Sequence, residues 1–157
     1  TLLPTLRLGF VATPPSCTVA VHKAKYVTDW HTSMVLQVAL AQFIDQGAFA
    51  RHLRKVRRVY TERHVLVTKI LNTDFADPLK VMPAVAGLHV AALSRLASVE
   101  QISDVAERAS ELGVQVQRLA KFAFNNPPRP GLLFGYGAIP TSKIHEGLSL
   151  LRSCFDD

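Results

Sequence analysis

The sequence predicts an α/β protein on three observations. Residues 48–71 contain no glycine or proline and carry apolar residues at helical spacing. Short apolar runs at residues 87–93 and 131–137 have the length and the flanking turn residues of buried strands. Helical patterns alternate with these runs, so the second half of the chain predicts the order strand, helix, strand, strand, helix. That order is typical of a small α/β sandwich lobe.

The first half is predicted to be mainly helical. Residues 6–12 are rich in β-compatible residues and end at two prolines, which predicts a buried strand. Helices are predicted over residues 17–28 and 34–46, with Gly47 as the stop of the second. The amphipathic helix 48–71 follows. At 1.5 Å per residue it would span roughly 36 Å, enough to bridge two lobes.

In the second half, residues 72–86 contain two prolines and are predicted to connect the lobes. The helix predicted over residues 99–112 begins with a capping box, Ser98 with Gln101, and ends at Gly113. The other predicted elements are a strand at 114–122, a loop at 125–130 and an amphipathic helix at 141–152.

Charge is unevenly distributed along the chain. Residues 1–72 hold ten Lys/Arg against three Asp/Glu, whereas residues 73–157 hold eight against nine. The surplus in the first half indicates an anionic partner: nucleic acid, an anionic cofactor or an acidic protein surface. The apolar runs are too short to span a membrane and no secretory signal is evident, which predicts a cytoplasmic protein. Cys17 and Cys154 lack metal-ligand spacing, so free thiols and no metal site are expected.

A basic run lies on the long helix and allows two interpretations. It is a solvated face, or it is a docking surface for DNA phosphates or an acidic partner domain. Aromatic residues do not alternate with these cations in the way that base recognition requires, which argues against sequence-specific DNA binding by this segment. Its members are Arg51, Arg54, Lys55, Arg57, Arg58 and Arg63.

The most informative motif is at the start of the printed sequence. Residues 1–10 read Thr-Leu-Leu-Pro-Thr-Leu-Arg-Leu-Gly-Phe. This stretch resembles the segment that directly follows the cofactor lysine in the aminotransferase-like domain of MocR-type regulators of the GntR superfamily. Four further segments match that family in the same order: 37–41, 51–60, 87–89 and 129–136. The resemblance therefore extends over essentially the whole chain.

The resemblance implies the C-terminal portion of a fold-type I transferase dependent on pyridoxal phosphate. Residues 1–47 would be the last part of the large cofactor domain. Residues 48–71 would be the long interdomain helix, residues 72–86 the connection, and residues 87–157 the small α/β lobe.

The implied function is that of a cofactor- and effector-sensing domain of a transcriptional regulator. Such a protein binds pyridoxal phosphate and an amine or amino-acid effector, forms a homodimer, and binds DNA through an N-terminal winged helix-turn-helix. Two alternatives stay open from the sequence. The chain is part of a genuine pyridoxal-phosphate aminotransferase, or it is a dimerising interaction module without cofactor chemistry.

The resemblance also implies roles for individual residues. Arg7 would contact the cofactor phosphate, and the Schiff-base lysine would lie immediately before Thr1, so no catalytic residue is expected within these 157 residues. Arg129 and His89 are candidates for contact with the substrate or effector. Aminotransferases grip the substrate carboxylate with an arginine near Leu132 or Leu133, and its replacement here argues against ordinary turnover of α-amino acids. On an apolar strand, His89 is also interpretable as a core residue.

Overall fold

The structure, a computed structural model, describes residues 7–84, 87–124 and 127–156. The chain divides into two compact units, Thr1–Val56 and Arg57–Asp157. The helices are α1 (Pro15–Thr28), α2 (Met34–Asp45), α3 (Ala48–Thr73), α4 (Val99–Glu111) and α5 (Thr141–Ser153). The strands are β1 (Leu79–Val81), β2 (His89–Ser94), β3 (Gln117–Arg118) and β4 (Gly131–Gly135), and a short 3-10 helix covers Leu119–Phe122.

The unit Thr1–Val56 contains α1, α2 and the start of α3. Neither α1 nor α2 buries a residue, although α2 is almost entirely apolar. Ser33 caps α2 by accepting a hydrogen bond from the Leu36 amide at 3.5 Å. A helix that is this rich in apolar residues normally packs against other parts of a protein, so the surface of this unit is unusually apolar for one exposed to water.

The strand expected at residues 6–12 is not observed over the described residues 7–12. Residue 6 itself lies outside the described residues. A strand requires a neighbouring strand to accept its hydrogen bonds, and β1 to β4 all belong to the unit Arg57–Asp157. The side chain of Phe10 is accordingly 95% exposed.

The unit Arg57–Asp157 is built around a four-stranded antiparallel sheet with the order β1-β2-β4-β3. Strands β2 and β4 pair from His89 with Gly135 to Leu93 with Gly131. One face of the sheet is buried because alternate residues point to the same side. The buried hydrophobic side chains of these two central strands are Val90, Ala92, Leu132 and Phe134.

Helices α3, α4 and α5 supply most of the other core residues. The end of α3 buries Val67, Ile70 and Leu71 at the spacing of one helical face. The buried residues of the other two helices are Ile102, Val105, Ala106 and Ala109 on α4 and Ile144, Leu148 and Leu151 on α5. The helices therefore cluster with one face of the sheet, as the sandwich prediction requires.

The helices lie where the sequence predicted them, within two residues at each end. Two predictions about strands were incomplete. Residues 72–86 were predicted as a connection, but they include the edge strand β1, whose three residues are too few to show an alternation in the sequence. Residues 114–122 form only the two-residue β3 before turning into the 3-10 helix Leu119–Phe122, so a continuous strand there was wrong.

Candidate functional site

Arg7 lies in the unit Thr1–Val56 with its side chain exposed. Its backbone has a φ of 50°, a left-handed conformation that is uncommon for any residue other than glycine. Among the described residues, none accepts a hydrogen bond or forms an ion pair with its guanidinium. A planar cation that is free in this way fits the phosphate of a pyridoxal cofactor.

His89 and Arg129 lie at opposite ends of the β2–β4 ladder. His89 pairs with Gly135, whereas Arg129 precedes Gly131, which pairs with Leu93. The two paired ends are about 13 Å apart at the usual rise of a strand. Both side chains are exposed, so the interpretation of His89 as a core residue is wrong. The structure does not bring His89 and Arg129 together.

The open face of the sheet carries the alternate residues of β2 and β4. Leu132 points into the core and is fully buried, whereas Leu133 lies on the opposite, partly exposed face. His89 lies on that open face as well, beside Gly135. The expected equivalent of the carboxylate-binding arginine of aminotransferases is therefore a leucine, whether that position is Leu132 or Leu133.

A polar cluster surrounds Tyr136, directly after β4. The Tyr136 hydroxyl donates a hydrogen bond to the Gly87 carbonyl oxygen at 3.0 Å and lies 3.2 Å from Nδ1 of His64 on α3. Arg63 donates from Nη1 to the carbonyl oxygen of Gly137 at 2.7 Å and to that of Tyr136 at 3.4 Å. Because Tyr136 is buried, desolvation raises the pKa of its hydroxyl above the ordinary value of 10.0.

Sequence reasoning missed the roles of Arg63, His64 and Tyr136. Arg63 was grouped with the basic run, and His64 showed no ligand spacing. A signal was present, because residues 60, 63, 64, 67 and 71 share one helical face and Val67 and Leu71 are buried on it. A cation and an imidazole on a packing face need polar partners, which Tyr136 and Gly137 provide.

The remaining cations of the basic run are exposed along α3, as either interpretation of that run requires. Cys17 is exposed and Cys154 buried, and both thiols are free. Across the described ranges, no group of His, Cys, Asp or Glu side chains could hold a metal ion. Within the same residues, no helix combines the length and the apolarity that crossing a membrane requires.

An apolar pocket of about 70 Å³ lies between α3, α5 and the end of β4, with Val67, Phe134 and Leu148 among its lining residues. Small-molecule sites usually measure roughly 300 Å³ or more. This pocket has room for only a few carbon atoms, so it does not form a candidate effector site.

Known proteins match the chain along nearly its whole length. It is 34% identical over 155 residues to the probable rhizopine catabolism regulatory protein MocR of Rhizobium meliloti, a match that covers 99% of this chain and 31% of the relative. It is 25% identical over 154 residues to the HTH-type transcriptional regulator YhdI of Bacillus subtilis. That match covers 98% of this chain and 32% of the relative. The chain is therefore similar to one part of the MocR-type regulators. It spans about a third of the length of these relatives.

Solved structures of aminotransferases share the fold of the chain. The chain superposes with a TM-score of 0.82 on the α-aminoadipate aminotransferase LysN of Thermus thermophilus, at 25% identity over 98% of this chain and 39% of that one. The kynurenine aminotransferase of Pyrococcus horikoshii gives a TM-score of 0.78 at 20% identity, covering 90% and 35%. The fold is therefore that of the fold-type I aminotransferases, in their C-terminal part. No protein-family model matches the chain.

Proposed function

We propose that this chain is the cofactor- and effector-sensing part of a MocR-type transcriptional regulator that binds pyridoxal phosphate in its intact form. One combined observation carries the proposal. The residues that match a regulator over 99% of the chain adopt the fold of LysN, whose structure contains N-(5'-phosphopyridoxyl)-L-leucine.

Arg7 is proposed to bind the cofactor phosphate. Its guanidinium is exposed and has no acceptor among the described residues, so binding a phosphate would break no contact that the structure describes. Paired hydrogen bonds from a guanidinium to a phosphate are among the stronger polar contacts in proteins. When bound, the cofactor supplies an electrophilic carbonyl group that reacts with primary amines.

His89 and Arg129 are proposed to contact the effector. Because they lie at opposite ends of the β2–β4 ladder, a small amine reaches only one of them within a single chain. His89 on the open sheet face suits the polar part of a small amine, since imidazole both donates and accepts hydrogen bonds. Arg129 suits an anionic group on a longer effector.

The intact regulator is proposed to be a cytoplasmic homodimer whose N-terminal winged helix-turn-helix binds DNA. Effector binding would favour one arrangement of the protein over another by its difference in affinity for the two. The DNA-binding part would respond through the same equilibrium, so DNA and effector would affect each other's affinity reciprocally.

The test is a titration of the full-length parent protein with pyridoxal phosphate, followed by visible absorption. We expect a band from the bound cofactor and, in Arg7→Ala, about tenfold or more weaker binding, because charged hydrogen bonds contribute roughly 1.5–3 kcal/mol. Arg54→Ala is the matched control, since Arg54 is an exposed arginine outside the matched motif of residues 1–10. Unchanged affinity in Arg7→Ala would reject the role of Arg7, and no band in the wild type would reject the cofactor.

A second candidate function is amine transfer by a genuine aminotransferase. The chain is 26% identical over 151 residues to the 2-aminoadipate transaminase of Thermus thermophilus, covering 96% of this chain and 37% of the enzyme. Leu132 and Leu133 argue against it, because neither can bind a substrate carboxylate. Transfer of the amino group of L-2-aminoadipate to 2-oxoglutarate by the parent protein would favour the enzyme, and cofactor binding without transfer would favour the regulator.

A further inference from the structure

Two three-residue segments lie against each other at the end of the β2–β4 ladder. The first is 87–89, Gly-Leu-His, and the second is 135–137, Gly-Tyr-Gly. His89 pairs with Gly135 in the ladder, and the Tyr136 amide donates a hydrogen bond to the Leu88 carbonyl oxygen at 3.0 Å. The two segments are therefore in register, residue against residue.

Gly135 and Gly137 have no side chains, and the side chains of the segment 87–89 occupy the space beside them. A Cβ atom on Gly135 would lie 3.3 Å from Cδ2 and 3.4 Å from Nε2 of the His89 ring. A Cβ atom on Gly137 would lie 3.0 Å from Cδ1 of Leu88. All three distances are tighter than usual side-chain contacts, so larger residues at 135 or 137 would displace His89 or Leu88.

The side chain of Tyr136 also holds the first segment in place through a hydrogen bond. Its hydroxyl has one proton, and the Gly87 carbonyl oxygen can only accept, so the Tyr136 proton is committed to that bond. His64 must then donate from Nδ1 to the Tyr136 oxygen. This places a hydrogen on Nδ1 of His64, and the two hydrogen bonds point in one direction, from His64 to Tyr136 and from Tyr136 to Gly87.

We infer that Tyr136 is a positioning residue that sets His89 on the open sheet face, with His64 and Arg63 of α3 holding Tyr136 in place. Arg63 contributes through its bonds to the carbonyl oxygens of Tyr136 and Gly137. The inference rests on the proposed function in one respect, namely that His89 contacts the effector.

The first experiment observes the imidazole signals of the full-length protein by proton–carbon NMR, with the His89 signal assigned from His89→Gln. We expect Tyr136→Phe to shift or broaden the His89 signal, because the hydroxyl that holds Gly87 is lost. Tyr60→Phe is the matched control, since Tyr60 is a half-buried tyrosine whose hydroxyl has no hydrogen-bond partner among the described residues. An unchanged His89 signal in Tyr136→Phe would overturn the inference, even if the melting temperature falls.

A second variant covers the case in which Tyr136→Phe does not fold. Gly135→Ala leaves the two hydrogen bonds of the Tyr136 hydroxyl intact and places a methyl group against the His89 ring, so it should shift the same signal. Nitrogen NMR of His64 tests the direction of those hydrogen bonds. A proton on Nε2 with a free lone pair on Nδ1 would mean that Tyr136 donates to His64 and would overturn the assigned direction.

Binding of N-(5'-phosphopyridoxyl)-L-leucine separates positioning from general stability. We expect Tyr136→Phe to weaken this binding roughly three- to tenfold, the usual effect of one lost hydrogen bond. The double variant with His89→Gln should bind no more weakly than His89→Gln alone, because both changes act through the same side chain. Additive losses would overturn the inference. If the wild type binds no adduct, the proposed function fails, and the NMR comparison still decides the positioning role.

Discussion

Nη1 of Arg63 on α3 lies 2.7 Å from the carbonyl oxygen of Gly137, which follows the last strand of the sheet. The same guanidinium reaches the Tyr136 carbonyl oxygen and, through Nε, the Thr141 hydroxyl at 3.4 Å. One partly buried cation therefore satisfies two backbone acceptors and contacts the first residue of α5. This arrangement fixes the segment between β4 and α5 onto α3.

Replacing Arg63 by alanine should destabilise the protein by about 2 kcal/mol, because hydrogen bonds to a charged donor are lost and two carbonyl groups lose their partner. Arg58→Ala is the control, since Arg58 is an exposed arginine on the same helix and should change stability by less than about 0.5 kcal/mol. Urea unfolding followed by circular dichroism measures both. Equal effects of the two substitutions would show that the Arg63 contacts contribute nothing specific.

Alkaline pH should destabilise the wild type through Tyr136. Burial raises the pKa of this hydroxyl in the folded state above its ordinary value of 10.0. Above the ordinary pKa the folded state therefore keeps a proton that the unfolded state releases. The stabilisation that the protonated Tyr136 provides is complete below about pH 10 and is lost as pH rises through the pKa of the folded state. Tyr136→Phe should flatten the decline of melting temperature above pH 10. An identical alkaline decline in Tyr136→Phe would contradict the assignment.

The capping box at the start of α4 gives a prediction about local stability. Ser98 accepts a hydrogen bond from the Gln101 amide at 3.3 Å, and the Gln101 side chain accepts one from the Ser98 amide at 2.8 Å. Ser98→Ala should cost about 1 kcal/mol, because both the cap and its reciprocal geometry are disturbed. Ser98→Asn keeps a neutral acceptor at this position and should recover most of the loss in the same unfolding measurement.

The pKa of the Glu100 carboxyl is lowered, chiefly by the hydrogen bond that its Oε2 accepts from the Ser98 hydroxyl at 2.7 Å. A lowered carboxyl pKa contributes stability at neutral pH that is lost as pH falls through the folded pKa. The difference in the free energy of unfolding between wild type and Ser98→Ala should therefore become smaller at acidic pH. A difference that stays constant between neutral and acidic pH would show that Glu100 takes no part.

The sequence predicted the elements whose signals are local. The periodicity of α3 and the box of Ser98 and Gln101 each depend on residues within a turn or two of one another, and the structure confirms both. Gly113 ends the α4 region as expected, with a φ of 80° that glycine adopts without strain. Strand formation at residues 6–12 failed as a prediction because it depends on a neighbouring strand, which local pattern does not report.

The candidate site was predicted less well for a similar reason. Arg7 and Arg129 were selected by chemistry and motif, and their functional roles stay predictions. Tyr136 lies in the matched segment 129–136 but was not selected as a candidate residue. Its role depends on hydrogen bonds with Gly87 and His64, which are 49 and 72 residues away in sequence. Only the three-dimensional packing of α3 beside the ends of β2 and β4 brings those groups together.

Two glycines, one with free space around it and one closely packed, test the packing of the unit Arg57–Asp157. A Cβ atom on Gly147, in the interior of α5, would meet no atom within 4 Å, whereas one on Gly131 would clash with the Ala92 carbonyl oxygen and lie 2.8 Å from Cδ1 of Leu119. Gly147→Ala should therefore stabilise the protein by up to about 1 kcal/mol through helix propensity.

Gly131→Ala should destabilise it by roughly 1–3 kcal/mol through overpacking. Both φ values lie outside the left-handed region, so backbone strain does not enter the comparison and steric space alone sets the sign. Melting temperatures of the two single variants, measured side by side, show whether the two substitutions change stability in opposite directions. A stabilising Gly131→Ala would mean that β2 and β4 are further apart than the pairing of Leu93 with Gly131 implies.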